Sequence, residues 1–95
     1  MHVTFVKKIL ADGSACRKCA DIEARLRSAG LWPRIDAVAV ADERDPHSEG
    51  WALARRFDVS AAPFFVVRDG DTTRVYTIYL QFVREILAPA LPPGA

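Results

Sequence analysis

The chain has 95 residues, 51% of them apolar, with 13 basic and 12 acidic side chains and a net charge of +1. That length holds one core rather than two, and the near-neutral balance excludes the electrostatic footprint of a nucleic-acid or anionic-membrane binder. No apolar run is long enough for a transmembrane helix, and the opening MHVTFVKKIL lacks the order of a secretory leader. The expectation is therefore a soluble, cytoplasmic monomer without a structural disulfide. One domain is expected over residues 1–90, with 91–95 a flexible tail.

Residues 2–6 (HVTFV) are β-branched and aromatic and read as a buried strand. Residues 7–15 (KKILADGSA) form a long connection rich in turn formers; alternatively, its first residues prolong the strand and make Ile9 and Leu10 core. A helix follows, with Cys19, Ile22, Leu26 and Ala29 as one apolar stripe. Gly30 is placed to end it, Leu31 to make the apolar contact beyond, and Pro33 to bar continuation. Residues 35–41 (IDAVAVA) read as a second strand. Asp45–Pro46 reads as the cap and first turn of a second helix, whose apolar side is Trp51, Leu53, Ala54 and Phe57. Residues 63–68 (PFFVVR) read as a third strand, 69–71 (DGD) as a hairpin turn, and 73–79 (TRVYTIY) as a fourth strand. Phe82, Val83, Ile86 and Leu87 form the buried side of a last helix that Pro89 limits. The order β-α-β-α-β-β-α predicts an α/β domain: a four-stranded mixed sheet, a parallel βαβ crossover first and an antiparallel hairpin later, with helices on both faces.

The chemistry lies in GSACRKCAD (13–21), which holds both cysteines. A helix N-terminus presents unpaired N–H groups and partial positive charge to a sulfur at its tip, favouring thiolate, the nucleophilic form. Cys16 takes that exposed tip, and Cys19, almost one turn on, falls on the stripe facing the sheet. One accessible and one sheltered thiol meet the needs of attack and then resolution. Arg17 and Lys18 add two cations beside them. Two alternatives stand beside the redox pair. A zinc or iron–sulfur site requires about four protein ligands, and the chain offers no second CxxC, only His2 and His47. A binding module would use the same surface without turnover.

Strand–CxxC–helix (HVTFV followed by CRKC), the segment FDVSAAPFFVV (57–67), and a closing hairpin and helix together resemble the thioredoxin/glutaredoxin superfamily over essentially residues 2–88. The resemblance implies a cis Ala62–Pro63 peptide bond beside the cysteines, with the Ala62 backbone pairing an extended substrate segment. It also implies thiol–disulfide oxidoreductase activity, with Cys16 as nucleophile and Cys19 as resolving thiol. The partners implied are a protein disulfide and an electron donor, with no bound cofactor. The chain departs from thioredoxins in having Ala15 before Cys16, Arg17–Lys18 between the cysteines, and no carboxylate in strand one. It departs from glutaredoxins in having YTIYLQF where a Gly-Gly pair follows the fourth strand. The basic pair either raises the share of thiolate, making the disulfide more oxidising, or selects an acidic partner surface.

Away from the cysteines, residues 42–45 (DERD) read as a solvated turn and cap. Trp32 and Trp51 read as core aromatics rather than a ligand groove. Tyr76 and Tyr79 are expected on the sheet face opposite Val75 and Ile78.

Overall fold

The structure, a computed structural model, describes residues 1–88; Pro89 and the expected tail lie outside the described residues. The first strand, β1 (His2–Ile9), occupies the interior of a four-stranded sheet. It pairs in parallel with β2 (Ala37–Asp42) and antiparallel with β3 (Phe64–Asp69). The edge strand β4 (Thr72–Tyr76) pairs antiparallel with β3, so the order is β2–β1–β3–β4. The β3–β4 turn is Gly70–Asp71, with Gly70 at φ 60°, a conformation that glycine adopts without strain.

Alternation along the strands divides the apolar side chains between two faces. Val3 and Phe5 face one side with Phe65, Val67 and Tyr76. Over them lie helix α1 (Arg17–Ser28), through Leu26, and the last helix α3 (Tyr79–Phe82), which continues as a π-helical turn, Val83–Leu87. Phe82 stacks on Phe65 at 3.9 Å between ring centroids, and Phe5 sits 5.3 Å from Phe65 on the other side. Trp32 meets Phe5 edge-on at 5.9 Å, so it packs against this core. On the opposite face Val6, Ala39, Phe64 and Val66 are covered by helix α2 (Glu49–Arg56) through Trp51, Leu53 and Ala54, with Phe57 at its end. The chain is thus an α/β domain with helices on both faces of a mixed sheet. No helix among the described residues is long and apolar enough to cross a membrane.

Several boundaries differ from the sequence expectation, each for a local reason. Strand β1 runs on to Ile9, but Ile9 and Leu10 are only half-buried and not core. Helix α1 ends as expected: Gly30 is at φ 72°, and the Leu31 N–H donates to the Leu26 carbonyl at 2.8 Å. Ala29 caps that end and is exposed, outside the buried stripe. The second strand starts at Ala37 rather than residue 35, because Trp32–Arg34 form a 3-10 turn ending at Ile35. Asp36 then spends its carboxylate on the Val3 N–H, 2.7 Å away. Ser48, not Asp45, caps α2. The Asp45 side chain accepts the His47 N–H at 2.9 Å and its carbonyl the Ser48 N–H at 3.1 Å, closing a separate turn, and α2 begins only after it. Strand β4 stops at Tyr76, so Tyr79 is helical rather than in a strand. It packs against the same core as Tyr76.

Gly50 fixes how closely α2 approaches the sheet. A β-carbon there would lie 2.2 Å from the Ala41 nitrogen and 2.3 Å from the Val40 carbonyl carbon, both backbone atoms of β2. Backbone cannot swing aside as a side chain can. Gly50→Ala is therefore expected to lower unfolding stability by about 1–3 kcal/mol through overpacking, although alanine is the better helix former. Urea denaturation checks this; an unchanged or raised midpoint would contradict the close approach.

Candidate active site

Strand β1 and helix α1 are joined by residues 10–15, and that connection folds back on the strand. The Leu10 N–H donates to Ser14 O and the Gly13 N–H to Leu10 O, both at 2.8 Å, with Gly13 at φ 85°. Ala15 then bridges antiparallel to Ile9. Glu43, just past β2, accepts the Ala11 N–H at 3.0 Å and fastens the excursion to the sheet. The next residue, Cys16, is the N-cap of α1 in an extended conformation.

Lys8 holds both cysteines through its backbone. Its carbonyl accepts the Cys16 N–H at 3.2 Å, and its own N–H donates to the Cys19 sulfur at 3.4 Å. Cys16 is part-exposed and Cys19 is 2% exposed; both are free thiols. The Cys16 sulfur faces the N–H groups of Lys18 and Cys19 without closing a full capping bond. Burial alone would raise the Cys16 pKa. The Cys19 N–H, the Cys19 thiol, the Lys18 N–H and the Lys8 charge outweigh burial and bring it below the ordinary thiol value. Cys19 goes the other way. Burial pushes it up to about 11, against the Lys8 N–H and reinforced by Cys16 itself. The pair therefore keeps its proton on the inner sulfur and concentrates thiolate character on the outer one.

The cation among the leading influences on Cys16 is Lys8, and Lys18 acts through its backbone N–H. At the first two positions of α1, Arg17 and Lys18 are exposed. The sequence left Lys8 either in the connection or in a prolonged first strand, with no role at the cysteines. The signal that would have found it is register: β1 had to be extended to Ile9 before Lys8 could face the cysteines. Its ammonium lies 3.9 Å from Glu43 and 5.9 Å from the Trp51 ring centre, which restrains it near the mouth of the site.

The Ala62–Pro63 bond is cis, as the resemblance implied, with Pro63 buried and Ala62 part-exposed. Ala61, Ala62 and Pro63 border a cavity of about 80 Å³ together with Lys18 and Ile22 of α1, Phe65, Thr77 and Tyr79. The structure thus joins Lys18 to the proline turn and Cys16 to Cys19. Arg17 does not border this cavity. On the other flank of α1, a cavity of about 360 Å³ reaches Cys19 between Ile9, Gly13, Ala15 and Ala24. Its mouth carries Lys7 and Arg27, both paired with Glu23, at 3.9 and 3.2 Å. Among the described residues no cluster of three or more His, Cys, Asp or Glu is arranged to hold a metal ion.

No protein-family model, curated protein or solved structure matches this chain. What the site can do chemically rests on the residues themselves.

At neutral pH Cys16 is expected to alkylate at least about tenfold faster than Cys19, since thiolate is the reacting form. The Cys16 rate should rise through a midpoint below that of an ordinary thiol. Lys8→Met should move that midpoint upward, because removing a cation raises the pKa of a group whose charged form is an anion. Mass-spectrometric rates across pH 5–10 check both. A midpoint that does not move would remove Lys8 from the account.

Proposed function

We propose that this protein is a thiol–disulfide oxidoreductase with a thioredoxin-like fold. The observation that carries the reading is the asymmetry of the cysteine pair: a part-exposed sulfur with lowered pKa at the tip of α1, and a buried one with raised pKa one turn behind. The β-α-β-α-β-β-α order, the mixed sheet and the cis Ala62–Pro63 bond support the fold assignment.

The chemistry follows from the two environments. The Cys16 thiolate attacks one sulfur of a protein disulfide. That S–S bond breaks, the departing sulfur leaves with the electron pair and takes up a proton, and a mixed disulfide joins Cys16 to the substrate. Forming that bond removes the Cys16 charge, which had added to burial in raising the Cys19 pKa. Cys19 then loses its proton more easily and attacks the Cys16 sulfur. The second substrate sulfur leaves as thiolate, and the Cys16–Cys19 disulfide remains. Overall the substrate gains two electrons and the cysteine pair loses them, and the proton given up by Cys19 balances the one taken up by the first departing sulfur. A separate donor dithiol reverses the last steps and returns the pair to its reduced form. Ala62 and Pro63 border a groove against the Lys18 and Ile22 side of α1, and in this reading a substrate strand lies there.

Turnover with an insulin-type disulfide and a dithiol donor tests the reading. Wild type should reduce it, Cys16→Ser should lose activity to background, and Cys19→Ser should accumulate a mixed disulfide on Cys16. Partner binding unaffected by either substitution, with no turnover by wild type, would favour a binding module instead.

A further inference from the structure

The rim of the proline groove carries charge that the exchange chemistry does not use. Among the described residues, Lys18 is the one charged residue bordering the groove. Arg25 stands two turns further along α1, with its guanidinium carbon 6.0 Å from the ring centre of Tyr79, which also borders the groove. Arg17, Lys18 and Arg25 are exposed, and among the described residues none of them is in an ion pair. The other cations near the cysteines are engaged: Lys7 and Arg27 with Glu23, and Lys8 with Glu43. Asp21, exposed on the same helix between Lys18 and Arg25, offsets only one of the three charges.

Beside this cationic rim lie two apolar side chains in water. Ile78 is 58% and Leu80 64% exposed, and they flank the groove-lining Tyr79 on either side in sequence. Both lie where the edge strand β4 has ended and α3 begins.

We propose that the protein selects disulfides held in an acidic segment: carboxylates flanking the target cysteine meet Lys18 and Arg25, and a neighbouring apolar side chain covers Ile78 and Leu80. The identification rests on the exchange reading for its chemistry, and on charge complementarity for the partner's composition. Rim charges of this kind act mainly on encounter and register, so the preference appears in kcat/KM and weakens with salt. An acidic flank is attracted by the free cations. A basic flank meets like charge, and among the described residues no acidic side chain borders the groove to compensate.

Three disulfide peptides of equal length, differing only in whether the residues flanking the cystine are Glu, Gln or Lys, provide the test. At about 10 mM salt, kcat/KM for the Glu peptide should exceed that for the Lys peptide by about tenfold or more. The ratio should fall towards one at about 1 M salt, where the Debye length shrinks from about 30 to about 3 Å. Lys18→Glu with Arg25→Glu should reverse the order, whereas Arg56→Glu, in α2 on the other sheet face, should leave it. Peptides with serine in place of cystine, followed by NMR titration, should rank in affinity as the disulfides rank in rate. Equal rates and equal affinities for all three, with exchange intact, would overturn the inference alone. Absence of exchange with every peptide would instead overturn the oxidoreductase reading, and the affinity ranking of the serine peptides would then decide the rim preference by itself.

Discussion

The peptide of Lys8 is the point on which the site depends. One residue at the end of the buried strand accepts the N–H of Cys16 and donates its own N–H to the sulfur of Cys19. The first contact sets the chain direction at which α1 begins. The second gives the inner sulfur a polar partner where water cannot reach. Helix and strand are therefore locked together at the cysteines, and the spacing of the two thiols from the sheet does not depend on the exposed residues between them.

The division of labour between the sulfurs follows from that lock. Cys19 belongs to the buried side of α1 with Leu26. Cys16 lies beyond that cover, near the N–H groups of the first turn and the Lys8 charge. Burial disfavours the charged form of one, whereas hydrogen bonding and a nearby cation favour it in the other. A chain with both thiols buried would lack a nucleophile, and one with both exposed would lack a protected resolving partner.

Much of the architecture was legible in the sequence because it rests on periodicity. The alternation in Val3, Phe5 and Val6, the run Phe64–Val67 and the helical stripe through Cys19, Ile22 and Leu26 each report a face directly. Boundaries were less legible because they turn on single hydrogen bonds: Asp45 closing a turn, Asp36 caught by Val3, Tyr76 ending β4. Gly50 gave no signal at all, since nothing local marks a glycine required by the backbone of a strand several residues earlier. At the site, Cys16, Cys19 and the cis proline were within reach of motif reasoning. Lys8 was not, because its role comes from the register between β1 and the returning segment at Ala15. Of the two side chains assigned to the thiolate by proximity in sequence, Lys18 borders the cavity at Pro63 and Arg17 does not.

The central claim is that Cys16 and Cys19 form one reversible redox couple. Equilibration of the purified protein in graded glutathione buffers, followed by acid quench and mass measurement, tests it most directly. The account predicts a single two-electron transition to an intramolecular disulfide with loss of two hydrogens. Its midpoint should fall between about −270 and about −120 mV, the span of known exchange proteins. Independent glutathione adducts on each cysteine, or two free thiols persisting in the most oxidising buffer, would contradict it.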